Sequence, residues 1–203
     1  RQELIRRYFR YRCEYAMGFA DRETVQRAEL FLKDFHLVPE YRKVVEPARR
    51  AAGEARAQDK GDEGIYCGAA IELKDGTIVT GNNSPLLHAA SSVVIHAIKH
   101  LAGIPSMIKL LPESITESVR NLKTRILNEK SVSLDLEETL IALSISSASN
   151  PAAQLALERL SELANCEVHM THIPTPGDEA GLRRLGVNLT SDPNFSTKDL
   201  FIA

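Results

Sequence analysis

The sequence predicts an α/β protein: a three-layer α/β/α sandwich preceded by a small all-helical subdomain. Three observations carry this. Residues 2–57 repeat apolar side chains at helical spacing. The runs IYCGAAIEL and TIVTG flank Lys74-Asp75-Gly76, and Asp-Gly between two strand-like runs signals a hairpin. Beyond it, helical stretches alternate with short apolar runs, which implies parallel crossovers and helices on both faces of a sheet.

The helical part is expected first. Leu4, Ile5, Tyr8, Tyr11, Tyr15 and Phe19 share one helical face, and Gly18 sits near its end. Asp21 can cap a second helix with Val25, Ala28, Leu30, Phe31 and Leu32 as its stripe. Pro39 suits the first turn of a third helix, which Pro47 would kink or restart because it has no N–H. The stretch AGEARAQDKGDEG then breaks the pattern. The reading divides the chain into a helical subdomain, 1–61, and an α/β domain, 62–203.

In the second part the hairpin comes first, followed by a loop from Asn82 to Pro85. Leu87 to Ala102 reads as a helix apolar on most sides, and therefore buried, stopped by Gly103 and Pro105. A short strand is expected from Met107 to Leu111, then a helix opened by Pro112 and running through Leu122 or beyond. In LEETLIALSISS, Ile141, Leu143 and Ile145 alternate as in a strand, while Leu136, Leu140 and Leu143 fit a helix equally well. A buried strand from Leu140 to Ser146 is the preferred reading. Asn150 then caps a helix that has Pro151 at its first position. CEVHMTHI is a strand, Thr175-Pro176-Gly177-Asp178 opens a last helix as a capping box with Asp in place of Glu, and VNLT closes the sheet.

Composition excludes several classes. At 203 residues the chain is long enough for one sizeable core. Net charge is −2, which gives no general case for nucleic acid or anionic lipid. The first 60 residues are net basic and the rest net acidic, so the helical part can face an acidic partner. No apolar run approaches the ~20 residues of a membrane span, and the charged N-terminus has no signal core. The three cysteines are far apart with no Cys-x-x-Cys, which fits reduced thiols in the cytoplasm. The chain does not start with Met and opens inside a helix, so an upstream domain of the same polypeptide is the expected partner.

Isolated signatures are weak. His96 and His100 share a helical face but lack the Glu of a zincin. His169 and His172 point to opposite faces of a strand. Cys67 is expected to be a small buried hydrophobe. Asp178 and Glu179 would repel a phosphate from the helix that starts at Pro176. The polar groups Asn82, Asn83, Ser84, His88, Ser149 and Asn150 form the candidate ligand pocket, provided that the two loops meet. Turn and cap roles for the same side chains are the alternative.

The stretch GAAIELKDGTIVTGNNSPLLHAASSVVIHAI resembles the start of the cytidine deaminase fold, where a hairpin leads to a helix bearing His-x-Glu. His88 matches the ligand, but Ala90 stands where the glutamate belongs. SNPAAQLA occupies the place of the second signature, Pro-Cys-x-x-Cys. It keeps Pro151 and has Ala152 and Leu155 where the thiolates belong. Deaminase zinc needs three protein ligands plus a water, so this resemblance implies no metal, no cofactor and no zinc-dependent deamination. QELIRRYFRYRCEY, GTIVTGNNS, ETLIALSISSASNPAAQLALERL and LRRLGVNLTSDP are similar to the C-terminal half of an uncharacterised bacterial family, domain of unknown function 1846. That likeness implies a preceding α/β domain and assigns no reaction.

The expected function is therefore a non-catalytic or diverged accessory domain. It would bind a small ligand, with nucleotides among the candidates, or pack on the upstream domain. The alternatives are an enzyme whose active site that domain completes, with His88 as acid/base, and a homo-oligomerisation module built from residues 1–57.

Overall fold

A computed structural model describes residues 1–129 and 131–196 of the chain. It is mixed α/β, with eight α-helices and a four-stranded sheet among the described residues. The helices α1 (Gln2–Ala16), α2 (Arg22–Asp34) and α3 (Val45–Ala57) come first. Asp21 caps α2 through the Thr24 N–H, at 2.7 Å. Pro39 opens a short 3-10 turn rather than a long helix, and Pro47 lies in the first turn of α3, where no N–H is needed.

The hairpin forms as expected. Strands β1 (Gly68–Glu72) and β2 (Ile78–Asn82) pair antiparallel around Gly76, which has φ of 85°. Then follow α4 (Ala89–Leu101), α5 (Glu113–Arg125), α6 (Leu136–Ser147), α7 (Pro151–Leu157), β3 (Glu167–Met170), α8 (Pro176–Arg184) and β4 (Asn188–Ser191). The sheet order is β2-β1-β3-β4. Strand β1 is antiparallel to both neighbours, and the β3–β4 pair joined through α8 is parallel.

Both faces of the sheet are covered, because alternate residues of β1 pack in opposite directions. Ala70 meets Val44 and Ala48 on the α3 side, whereas Ala69 and Ile71 join the core built from α4, α6, α7 and α8. Small residues allow this. A Cβ on Gly68 would collide with backbone of Ala48 and Ala52, and one on Gly81 would collide with backbone of Val93. Ion pairs fasten the α1–α3 layer. The fully buried Arg42 side chain pairs with Glu167, which Arg6 also meets, and donates to the carbonyls of Val168 and Asn188 at 3.1 Å each. Arg49 on α3 makes a two-point contact with Asp192, at 2.8 and 3.0 Å.

Two expected strands are corrected. Residues 107–111 form turns. The carbonyls of Ser106 and Ile108 there accept from the buried Lys99 ammonium at 2.7 Å each, so a side chain and not a strand partner satisfies them. Residues 140–146 are helical. Asp135 and Glu138 form a reciprocal capping box at 2.9 Å in each direction, which fixes the start of α6. The residues buried along α6 are Leu136, Thr139, Ala142, Leu143 and Ser146, a helical spacing, while Ile141 and Ile145 are exposed. With strand 140–146 gone, α7 is not a crossover helix between two strands.

Two outcomes follow from this packing. Gly81→Ala should cost about 1–3 kcal/mol, because backbone on both sides must move. Gly53→Ala, at an open position inside α3, should add roughly 0.5–1 kcal/mol. Thermal unfolding of the two variants, with shifts of opposite sign, checks both. In α6, Leu143→Ala should cost about 2–5 kcal/mol, and Ile141→Ala should stay within about 0.5 kcal/mol. Equal losses in urea titrations would restore the strand reading.

Candidate functional site

On the α4 side of the sheet, three helix starts come together around one carboxylate. His88 is the N-cap of α4, with its backbone extended and its N–H donated to Leu134 O at 2.9 Å. Its ring Nδ1 lies 2.8 Å from Asp178 Oδ2. Asp178 is in the first turn of α8, with a side chain only 3% exposed. The same carboxylate accepts the Thr175 hydroxyl at 2.9 Å and, through Oδ1, the Leu136 N–H at 2.9 Å. The N-terminal ends of α6 and α8 thus help to neutralise it. Gly177 leaves room beside it, because a Cβ there would displace the Asp135 carboxylate that caps α6.

The electrostatics favour a charged imidazole. Burial works against protonation of His88, but the hydrogen bond and charge of Asp178, helped by Asp135, outweigh it and raise its pKa above the ordinary value. With Nδ1 donating to Asp178, Nε2 accepts in the neutral ring and donates in the charged one. The His88 side chain is 21% exposed and borders a cavity of about 140 Å³. Ligand sites of drug size span roughly 300–1,000 Å³, so this one suits a small molecule or one end of a larger molecule.

Ile65, Cys67 and Met170 give the cavity an apolar wall. Asp62, Glu63, Ser131, Ser133 and Thr175 line it with carboxyl and hydroxyl groups. The Cys67 thiol is pushed up to about 12, first by burial and then by the Asp178 charge. It stays protonated and is no nucleophile. The donor set does not fit zinc. His88 Nε2 is the one open nitrogen there, Asp178 is taken up by three donors, and among the described residues no three His, Cys, Asp or Glu side chains are grouped to hold an ion.

The residues chosen from sequence divide into two groups. Asn83 and His88 border the cavity. Asn83 does so as a loop pin, accepting from Cys67 N–H at 2.8 Å and donating to Ile65 O at 3.0 Å. Asn82 donates to the Lys60 and Asn83 carbonyls, and Ser84 accepts from the N–H groups of Leu86 and Leu87. Ser149 is exposed, and Asn150 caps α7 while donating to the Lys109 and Leu110 carbonyls, beyond the C-terminal end of α4. Those two are at the far end of α4 from His88 and do not reach the cavity. Sequence reasoning missed Asp178, Thr175 and Asp62 as site residues. Thr-Pro-Gly-Asp signalled a helix cap, and only the fold turns that carboxylate onto a histidine ninety positions away.

A second histidine–carboxylate pair is sealed on the opposite face. His169 is fully buried, with Phe9 against its ring at 4.8 Å between centroids and Thr190 Oγ1 2.9 Å from Nδ1. Its Nε2 is 3.5 Å from Asp192, long for a hydrogen bond. Burial lowers its pKa.

The family model described as "Domain of unknown function DUF1846, C-terminal" matches residues 40–201. A UPF0371 protein of Clostridium botulinum (strain Alaska E43 / Type E3) is 45% identical over 202 residues, which is 99% of this chain and 40% of that protein. One from Clostridium tetani (strain Massachusetts / E88) is 40% identical over 200 residues, 98% of this chain and 40% of that protein. The chain thus spans about 40% of the length of these relatives. On the extent of the family match and these identities, the chain belongs to the family of domain of unknown function DUF1846, as its C-terminal part.

Proposed function

We propose that this domain binds a small polar ligand in the cavity beside His88, and that Asp178 holds His88 ready to exchange a proton with it. The observation that carries this is the 2.8 Å contact between His88 Nδ1 and a buried carboxylate, which leaves Nε2 for the ligand. Asp62 and Glu63 add negative charge to the rim. The fitting ligand is therefore neutral or cationic and rich in hydrogen-bond donors, rather than a phosphate. The small volume favours one end of a larger molecule, such as a base or sugar. It also supports the reading in which another part of the longer family proteins completes the site, with His88 as the acid/base.

A cytidine deaminase-like arrangement remains part of the proposal, in altered form. Its support is a hairpin followed by a helix with His88 at its start. The helix start facing His88 is that of α8, not that of α7. No step is routed through zinc, since the donors there do not fit it. A cytoplasmic setting agrees with three free, buried cysteines. No helix of the described residues is long and apolar enough to cross a membrane.

Two measurements test the site. NMR titration of His88 should give a midpoint above 6.5. In Asp178→Asn it should fall, because burial and the Lys123 charge are then opposed only by Asp135. The pair's stabilisation should be full below the ordinary histidine value and be lost as pH rises through the raised one. An unchanged midpoint in the variant would remove Asp178 from the role. Thermal-shift assays with nucleosides, small amines and inorganic phosphate should show stabilisation by one of the first two classes. At a hundredfold excess over Kd this is about 2.7 kcal/mol, and it should vanish in His88→Ala. No stabilisation by any nucleoside or amine would reject the ligand class.

A further inference from the structure

The α1–α2 layer has a surface that the ligand site does not use. Between these helices lies a groove of about 400 Å³, lined by Leu4, Arg7, Tyr11, Arg27, Phe31 and Phe35 among others. Phe31 is 54% and Phe35 61% exposed, and Tyr15, Phe19 and Leu30 are exposed nearby in the chain. Grouped aromatics of this kind mark an interaction surface. The inward faces of the same helices are already used, since Ile5, Tyr8, Phe9, Ala28 and Leu32 form one buried cluster with Leu37 and Val45. The outward face needs a different occupant.

Two facts identify it. The family match begins at residue 40, so α1 and α2 precede the unit described as C-terminal. The relatives nevertheless align over 202 residues, and well over half of each relative lies outside the match. Because the matched model is described as C-terminal, a preceding part of those proteins would enter α1 within one turn of Leu4, at the rim of the groove. We infer that the α1–α2 groove seats the N-terminal part of the longer family proteins, through an apolar segment that covers Phe31 and Phe35. Arg7 and Arg27 are already paired within their own helices, with Glu3 and Glu23. Aromatic burial, not charge, therefore sets the affinity.

The test is hydroxyl-radical footprinting of Tyr11, Phe31 and Phe35 in the full-length protein and in the 203-residue chain. Oxidation of all three should drop several-fold in the full-length protein. Phe31→Glu combined with Phe35→Glu should leave the melting temperature of the 203-residue chain unchanged. In the full-length protein the same pair should speed proteolytic release of the N-terminal part several-fold. Equal oxidation in the two forms would overturn the inference. So would dimerisation of the full-length protein through these aromatics, since a second copy would then be the occupant.

Discussion

One buried carboxylate organises the α4 side of the molecule. Asp178 has almost no solvent, and an ion in that position is tolerated only when its lone pairs are met. Three donors meet them: the Leu136 N–H, the Thr175 hydroxyl and the His88 ring. Each comes from the start of a different helix, α6, α8 and α4. Their directions are consequently coupled. Moving any one of them would leave part of a buried carboxylate without its donor, at a cost of about 1–3 kcal/mol. The chain accommodates this knot with Gly177, where a side chain would displace the neighbouring Asp135 cap. The candidate site is the open side of the same knot.

Local chemistry made much of the fold legible. Asp21, Asn150 and Thr175 cap the helices assigned to them, and Gly76 turns the hairpin. These signals are short-range, so a single sequence carries them in full. The failure at 140–146 came from composition. A helix apolar on its outer side as well, through the exposed Ile141 and Ile145, offers no contrast between periods 2 and 3.6. The Asp135–Glu138 box was present in the letters and outweighed the β-branched alternation. At 107–111 the deciding group, the Lys99 ammonium, lies on the preceding helix and gave no local sign. Of the candidate residues, His88 and Asn83, chosen from their loop, border the cavity. Ser149 and Asn150 were misplaced because their position depended on the strand that is not there.

The N-terminal helices shape the site indirectly. By covering the other face of the sheet they take its polar groups out of use. Arg42 and Arg6 pair with Glu167 on β3, and Arg49 holds Asp192. Burial opposes ionisation of Asp192, yet its partners His169 and Arg49 hold its carboxyl well below the usual range. The small side chains of β1 allow helices to pack closely on both sides of that strand. The sheet is in effect a thin partition between a sealed ionic face and an accessible one.

The two histidines separate along that partition. Each has a carboxylate partner and a hydroxyl close by, so composition alone does not distinguish them. Environment does. His169 has Phe9 on its ring and no exposed surface, its carboxylate is shared with Arg49, and desolvation dominates to keep it neutral. His88 keeps a fifth of its side chain open, and among the described residues its carboxylate has no guanidinium partner. Of these two rings, protonation is therefore favoured at the one that borders the cavity. A proton held where nothing can collect it is structural; the same proton at the mouth of a cavity is available for chemistry.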